Sequence, residues 1–467
     1  MKVMTGVVTA VALGLGTSAS AWADDSAAVE ALKAQLAAFQ KETAIQMAAM
    51  QNKIDQMSSA ASVSSKETSS TPPEQSPLST RIAGADVTLY GFVDVSGDST
   101  NDGRDHLNQF SSNQSYLGVR GGKELGSGGL KAIFQIETLV DVSASPSDSS
   151  SLGSRNSFVG LQGDWGKLMI GKYDTPYKRA TAMMDPFSGS VGDYNSVMGN
   201  TAGESRPEFD FRMPHSIFYD SPVWNGFSVY ALVSPGQKLN NLPDASNYAF
   251  PQGEKICSGS TPGSSGSTPN GNVCNDGAFK TAASIALNYQ AGPWFSVISY
   301  ERHNSVDRTS DHFGIVADES AAKVGLSYHF DGNQLSGIYE KFFRGGTIAP
   351  IFNERTRDGY YVSDVQDLGH RTDFMFAWAH AGQTSGSPHF GDMDDRVNMT
   401  SLGLKYHYDA QTALYVVAAL LTEGAGAHYS LGAGGHGIPV ASPRSDTGGN
   451  FPGQRLDAIS VGLQYAF

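Results

Sequence analysis

The sequence predicts an all-β fold, a 16-stranded antiparallel transmembrane β-barrel preceded by a short α-helical coiled coil. Three observations predict it. From Gly84 onward, apolar and polar residues alternate with a period of two, so each segment has one greasy face and one small or polar face. The connections alternate between very short ones ("GSGG", "WG", "AGP", "DGN", "AQ") and long polar ones. No stretch beyond the N-terminus approaches the ~18 consecutive apolar residues of a membrane helix. Short turns at one end and long loops at the other mark an outer-membrane barrel.

The elements follow in order. Lys2, an apolar run "VVTAVALGLG" and "AWA" at Ala21–Ala23 have the layout of a secretory signal peptide, residues 1–23. Residues 24–57 carry apolar positions Val29, Leu32, Leu36 and Phe39, then Met47, Met50, Ile54 and Met57. This 3-4-3 spacing is a coiled-coil seam, broken at Thr43 by a stutter. A lone helix of that length is marginal in water, which implies self-association; a single amphipathic helix packed on its own chain is the alternative. Residues 58–83, rich in Ser and Pro, read as a linker.

Residues 84–467 are the barrel. "DVTLYGFVDV", "GLKAIFQIET", "SLGLKYHYD" and the closing "AISVGLQYAF" all alternate cleanly. Fifteen strands are plain. The weakly patterned "RDGYYVSDVQ" supplies the sixteenth, and an even count keeps both termini on the periplasmic side. Backbone groups in lipid must all be paired, so the last strand is expected to pair with the first. Trp165, Trp224, Trp294, Phe330, Tyr465 and Phe467 lie near strand ends, as interfacial girdles do. Cys257 and Cys274 flank a Gly/Ser/Pro run and read as one disulfide pinning a long loop.

Several segments resemble the general porin family of Gram-negative bacteria, in its Burkholderia/Neisseria-like branch. "VTLYGFVDV" is similar to the family's first strand, "SYLGVRGGKELGSGGLKAIFQIE" to its second hairpin, and "RNSFVGLQGDWGKLMIGKYDTPY" to its fourth and fifth strands. "MMDPFSG" resembles the start of its third loop, and "HSIFYDSPVWNGFSVYAL" its sixth and seventh strands. The ending "LQYAF", with Tyr465 and Phe467, resembles the signal read by barrel-assembly machinery. The N-terminal extension is similar to that of trimeric porins with a periplasmic coiled coil, some of them carboxylate- or phosphate-preferring.

The resemblance implies a homotrimeric outer-membrane channel for passive diffusion of ions and small hydrophilic solutes. It also implies a third loop, about residues 177–212, folded inward to narrow the pore. Acidic loop residues Asp185, Asp193, Glu204, Glu208 and Asp210 would then face wall cations Arg120, Arg155 and Arg212, with Lys131 added by alternation. Tyr116 and Phe218 stand where the family often has arginine. Those losses, with the loop acids and a net charge of −14, point to a weakly selective pore leaning toward cations.

Other functions fare less well. An acidic chain does not suit broad nucleic-acid binding. HExxH, GxSxG and P-loop patterns are absent, and "GAGGHG" opens no helix, so no catalytic constellation emerges. The scattered histidines lack metal-ligand spacing, and no cofactor is implied. A structural tether or adhesin is the other class. The coiled coil would reach toward peptidoglycan, and acidic loops would bind lipopolysaccharide through divalent cations.

Overall fold

The computed structural model describes residues 78–101, 106–143, 152–199, 209–235, 279, 281–306, 317–344, 356–383, 394–425, 427, 429–431, 453 and 455–467. The signal peptide, the coiled coil, most of the linker, the Cys257/Cys274 pair, Glu204 and Glu208 lie outside the described residues.

One antiparallel sheet contains every strand among the described residues. Its staves are β1 (Ala85–Asn101), β2 in two pieces (His106–Ser112 and Tyr116–Glu124), β3 (Lys131–Leu139) and β4 (Ser157–Gly163). They continue through β5 (Gly166–Asp174), β6 (Arg212–Asp220), β7 (Phe227–Ser234), β8 (Thr281–Ala291), β9 (Trp294–Val306) and β10 (Ala317–Phe330). The ring ends with β11 (Asn333–Arg344), β12 (Asp358–Asp367), β13 (Thr372–Ala381), β14 (Val397–His407), β15 (Thr412–Glu423) and β16 (Arg455–Ala466). Both pieces of β2 pair with β1, so they are one stave broken at Asn113–Ser115. A short strand, Leu78–Ile82, folds back on β1 alone. The eighteen strand segments therefore make sixteen staves, including the weakly patterned one at Asp358–Asp367.

Each stave pairs with its chain neighbours, and β16 pairs with β1 from Asp457↔Asn101 to Ala466↔Phe92. Closure leaves no stave with an open edge, which a sheet in lipid requires. No described helix is long and apolar enough to cross a membrane; the crossing is made by strands.

The alternation sorts the faces as its period demands. Ile136, Ile298, Leu402, Ile459 and Val461 are exposed on the outside, while Glu137, Ser299, Ser401, Ala458 and Ser460 are buried inside. The short turns collect the aromatics expected of a girdle: Trp165, Trp224, Trp294, Phe330 and Tyr465 are all exposed. Toward the opposite end, Tyr339 and Tyr360 pack outward at 5.3 Å between ring centroids.

Two staves depart from the usual polar interior. β13, "TDFMFAWAHA", and β15, "TALYVVAALLTE", are apolar on both faces, with Met375, Ala377, Ala379, Val417, Ala419 and Leu421 turned inward and buried. Something apolar must cover them, since water-facing walls of this kind would expose their surface. The chain between β5 and β6 does so.

Candidate functional site

That connection starts with α1 (Pro176–Thr181). Thr175 caps it, its hydroxyl accepting from Lys178 N–H at 3.2 Å, and Pro176 takes the first turn, where no donor is needed. The chain then runs inside the barrel. Met184, Phe187, Val191, Tyr194, Val197 and Met198 are all buried, in one apolar cluster with Ile338, Tyr361, Met375, Met399 and Val417 of the wall. Burying several such side chains at about 1.5–3 kcal/mol each is the main force seating the loop.

Polar contacts set its position. Arg179 donates to both carboxylate oxygens of Asp220, at 2.8 and 2.9 Å. Lys323 of β10 reaches Asp210 at 2.6 and 2.8 Å, and both side chains are essentially without solvent exposure. Glu340 accepts from Tyr177 Oη and from Gly199 N–H, and lies 3.3 Å from Arg357, which donates to the Val197 carbonyl. Ser363 Oγ donates to the Met184 carbonyl at 2.6 Å.

The acids expected at a constriction have other partners. Asp185 accepts from Phe187 N–H, Tyr194 N–H and Tyr361 Oη. Asp193 accepts from Gly189 N–H and Asn195 N–H. Asp210 belongs to Lys323. Short carboxylates are good acceptors for stray loop amides, and that local demand turns Asp185 and Asp193 into the protein, while the Lys323 ammonium turns Asp210. Burial pushes Asp185 up to about 8, against the pull of its three donors, and nearby Asp193 adds to the rise. Asp193 is raised too, chiefly by burial. Described loop residues that meet solvent are Ala182, Met183 and Ser188, with Lys178, Arg179, Pro186 and Asn195 partly open.

On the wall around β1–β6, arginines, acids and aromatic rings interleave. Arg120 is exposed and lies 4.8 Å over the Tyr90 ring. Arg155 pairs with Glu137 at 2.7 Å and lies 4.7 Å over Tyr116. Arg212 pairs with Asp174 at 3.2 Å and donates to Asn156 at 2.7 Å; Lys178 approaches the same carboxylate at 3.3 Å. Phe218 is buried, packed on Tyr173. Lys131 stands apart. It does share the Glu137 face, yet it sits beside the short turn 125–130 and pairs with Glu124 at 2.8 Å, away from the loop. Asp94 and Asp98 are also turned inward and buried, amid Asn113, Tyr415, Gln464, Ser111 and Ser460.

Sequence reasoning missed Lys323, Glu340, Arg357, Arg179 and Asp220. The doubly apolar β13 and β15 were the available signal for where a loop would pack.

A sixteen-stave closed barrel with a connection packed inside it has a known sequence profile, that of the Gram-negative porins, which matches residues 58–425. The chain belongs to the Gram-negative porin family. It is an outer-membrane diffusion channel rather than an enzyme. Among curated relatives, outer membrane porin protein 32 of Delftia acidovorans is 25% identical over 397 residues, 83% of this porin and 95% of the relative. Major outer membrane protein P.IA of Neisseria meningitidis serogroup C is 29% identical over 232 residues. That match spans 49% of this porin and 54% of the relative, about half of each. The porin's fold is similar to the anion-selective porin from Comamonas acidovorans, with a TM-score of 0.59, 21% identity, and coverage of 82% of this chain and 100% of that one. It is also similar to OmpT of Vibrio cholerae, with a TM-score of 0.53, 13% identity, and coverage of 83% and 100%. Porins of this kind are typically trimeric, and another OmpT structure is described as a trimer form.

Proposed function

We propose that this porin is a homotrimer of weakly selective channels, each narrowed by the chain between Thr175 and Arg212, with a lean toward anions. One observation carries the sign. The guanidinium groups of Arg120, Arg155 and Arg212 line the wall, while Asp185, Asp193 and Asp210 are buried in the seat of the loop. A cation lean follows from the sequence only if those acids face the lumen. Screened by their own hydrogen bonds and by Lys323, they leave the wall charges to set the field, where each unit charge weighs more than in bulk water. Net charge of −14 is a poor guide, because exposed charges farther from the lumen than a Debye length of ~8 Å are screened.

The test is a reversal potential in a planar bilayer under a potassium chloride gradient. A chloride-to-potassium permeability ratio of roughly 2–5 is expected from a few unpaired charges in a narrow channel. A ratio below one would overturn the sign. The N-terminal seam adds a proposed trimeric stalk of roughly 50 Å, from ~1.5 Å of rise per residue. Trimers lacking residues 24–83 should conduct normally and melt at lower temperature.

A further inference from the structure

Tyr116 and Phe218, two neutral residues on the inner face of the wall, are both aromatic. Tyr116 lies directly under a guanidinium group, whereas Phe218 meets one only through Tyr173. Tyr116 lies edge-on to Tyr90, 6.1 Å between centroids, and Arg155 covers it at 4.7 Å. Arg120 covers Tyr90 at 4.8 Å. The order along the wall is therefore guanidinium, phenol ring, phenol ring, guanidinium. Phe218 stacks on Tyr173 at 5.3 Å, and Arg179 covers Tyr173 at 4.9 Å.

Exposure separates the two ends of this arc. Phe218 is only 2% exposed, and Arg179 is already held by both oxygens of Asp220, so that end is closed. At the other end Tyr90 and Tyr116 are partly open, and Arg120 is exposed with no ion pair among the described residues. Arg155 shares Glu137 with the Tyr90 hydroxyl, which donates to it at 3.1 Å. Two cations and one carboxylate leave one positive charge uncompensated, beside two ring surfaces.

We infer that Tyr90, Tyr116, Arg120 and Arg155 form a subsite for aromatic carboxylates, an inference that rests on the pore reading above. The Arg120 fork matches a carboxylate, whose two oxygens it can meet at once. The aryl ring of the same ligand lies against Tyr90 and Tyr116 in the offset or edge-on geometry that aromatic pairs prefer. An aliphatic carboxylate of equal charge gains the first contact and loses the second. Charge alone admits any anion; the interleaved rings sort anions by shape.

Block of chloride current through the purified full-length porin in a planar bilayer tests this. Benzoate and cyclohexanecarboxylate carry the same charge at almost the same size, and each is titrated into potassium chloride. Benzoate is expected to half-block at a concentration roughly threefold lower, the scale of one aromatic contact. Tyr116→Leu should remove that difference, Tyr116→Phe should keep it, and Arg120→Gln should weaken both blockers equally. Equal block in the unmodified protein, or a preference that survives Tyr116→Leu, overturns the subsite while chloride steps still uphold the pore. No chloride current at all overturns the pore reading and the subsite together.

Discussion

Gly91 and Phe467 exchange both backbone hydrogen bonds, Gly91 N–H to the Phe467 carbonyl at 2.9 Å and Phe467 N–H to the Gly91 carbonyl at 3.0 Å. The last residue thus locks onto the first stave, and its ring lies where a Gly91 side chain would be. A Cβ there collides with the aromatic ring and crowds the Tyr116 carbonyl. Gly91→Leu should cost about 1–3 kcal/mol by overpacking. The readout is the temperature at which the folded barrel loses its compact gel mobility, and an unchanged value would show that the Phe467 ring swings away freely.

Lys323 and Asp210 form the buried ion pair that ties the loop's return to β10. Lys323→Met strands a carboxylate without its cation, at a cost of about 3–5 kcal/mol. Single-channel records should then show larger and noisier conductance as the loop lifts. Pairing it with Asp210→Leu should restore a quiet channel, because no buried charge is left over. A noisy double variant would mean that the apolar packing, not charge balance, had been damaged.

The seat of the loop also depends on pH through Asp185. Its carboxyl is raised to about 8, whereas an unfolded aspartate titrates near about 3.9. Between those values the seated loop holds a proton that the released loop lacks. Seating is therefore strongest below about pH 4, weakens as pH rises, and has lost this contribution above the folded value of about 8. Current fluctuations should grow from pH 5 to pH 9, and Asp185→Asn should flatten that dependence. Growth in the opposite direction would remove Asp185 as the responsible group.

The wall cations should not contribute equally to selectivity. Arg155→Gln removes a charge that Glu137 already offsets and leaves that buried carboxylate uncovered, so the lumen gains a net negative charge. Arg120→Gln removes an exposed charge without unmasking an acid. Both lower the chloride-to-potassium ratio, with the Arg155 variant costing stability as well, by about 1–3 kcal/mol. Tyr116→Arg should raise the ratio. An unchanged ratio in Tyr116→Arg would place that side chain outside the field, and a shift toward cations would overturn the role given to wall charge.

The barrel was legible because a strand's two faces are written into every second residue. "AISVGLQYAF" displays its lipid side, its lumen side and its place in the ring without reference to any other segment. Even the faint "RDGYYVSDVQ" was recoverable, since bacterial barrels have even counts that keep both termini on one side. Arg120, Arg155 and Arg212 came from the family resemblance, whereas Lys131, the one taken from alternation, has the right face but sits beside a short turn.

The loop has no such period. From the residues alone, Asp185, Asp193 and Asp210 are simply acids in an inward loop. Their direction depends on which amides lack acceptors and on Lys323, which lies 113 residues further along the chain. The same limit hid the seat on β13 and β15, although their two apolar faces carried the clue. Strand direction is a local property of the backbone, so the sequence by itself determined the barrel, the two faces of its wall and its family resemblance. The direction in which Asp185, Asp193 and Asp210 turn depends on partners elsewhere in the fold, some of them distant in the chain, and only the tertiary structure decided it.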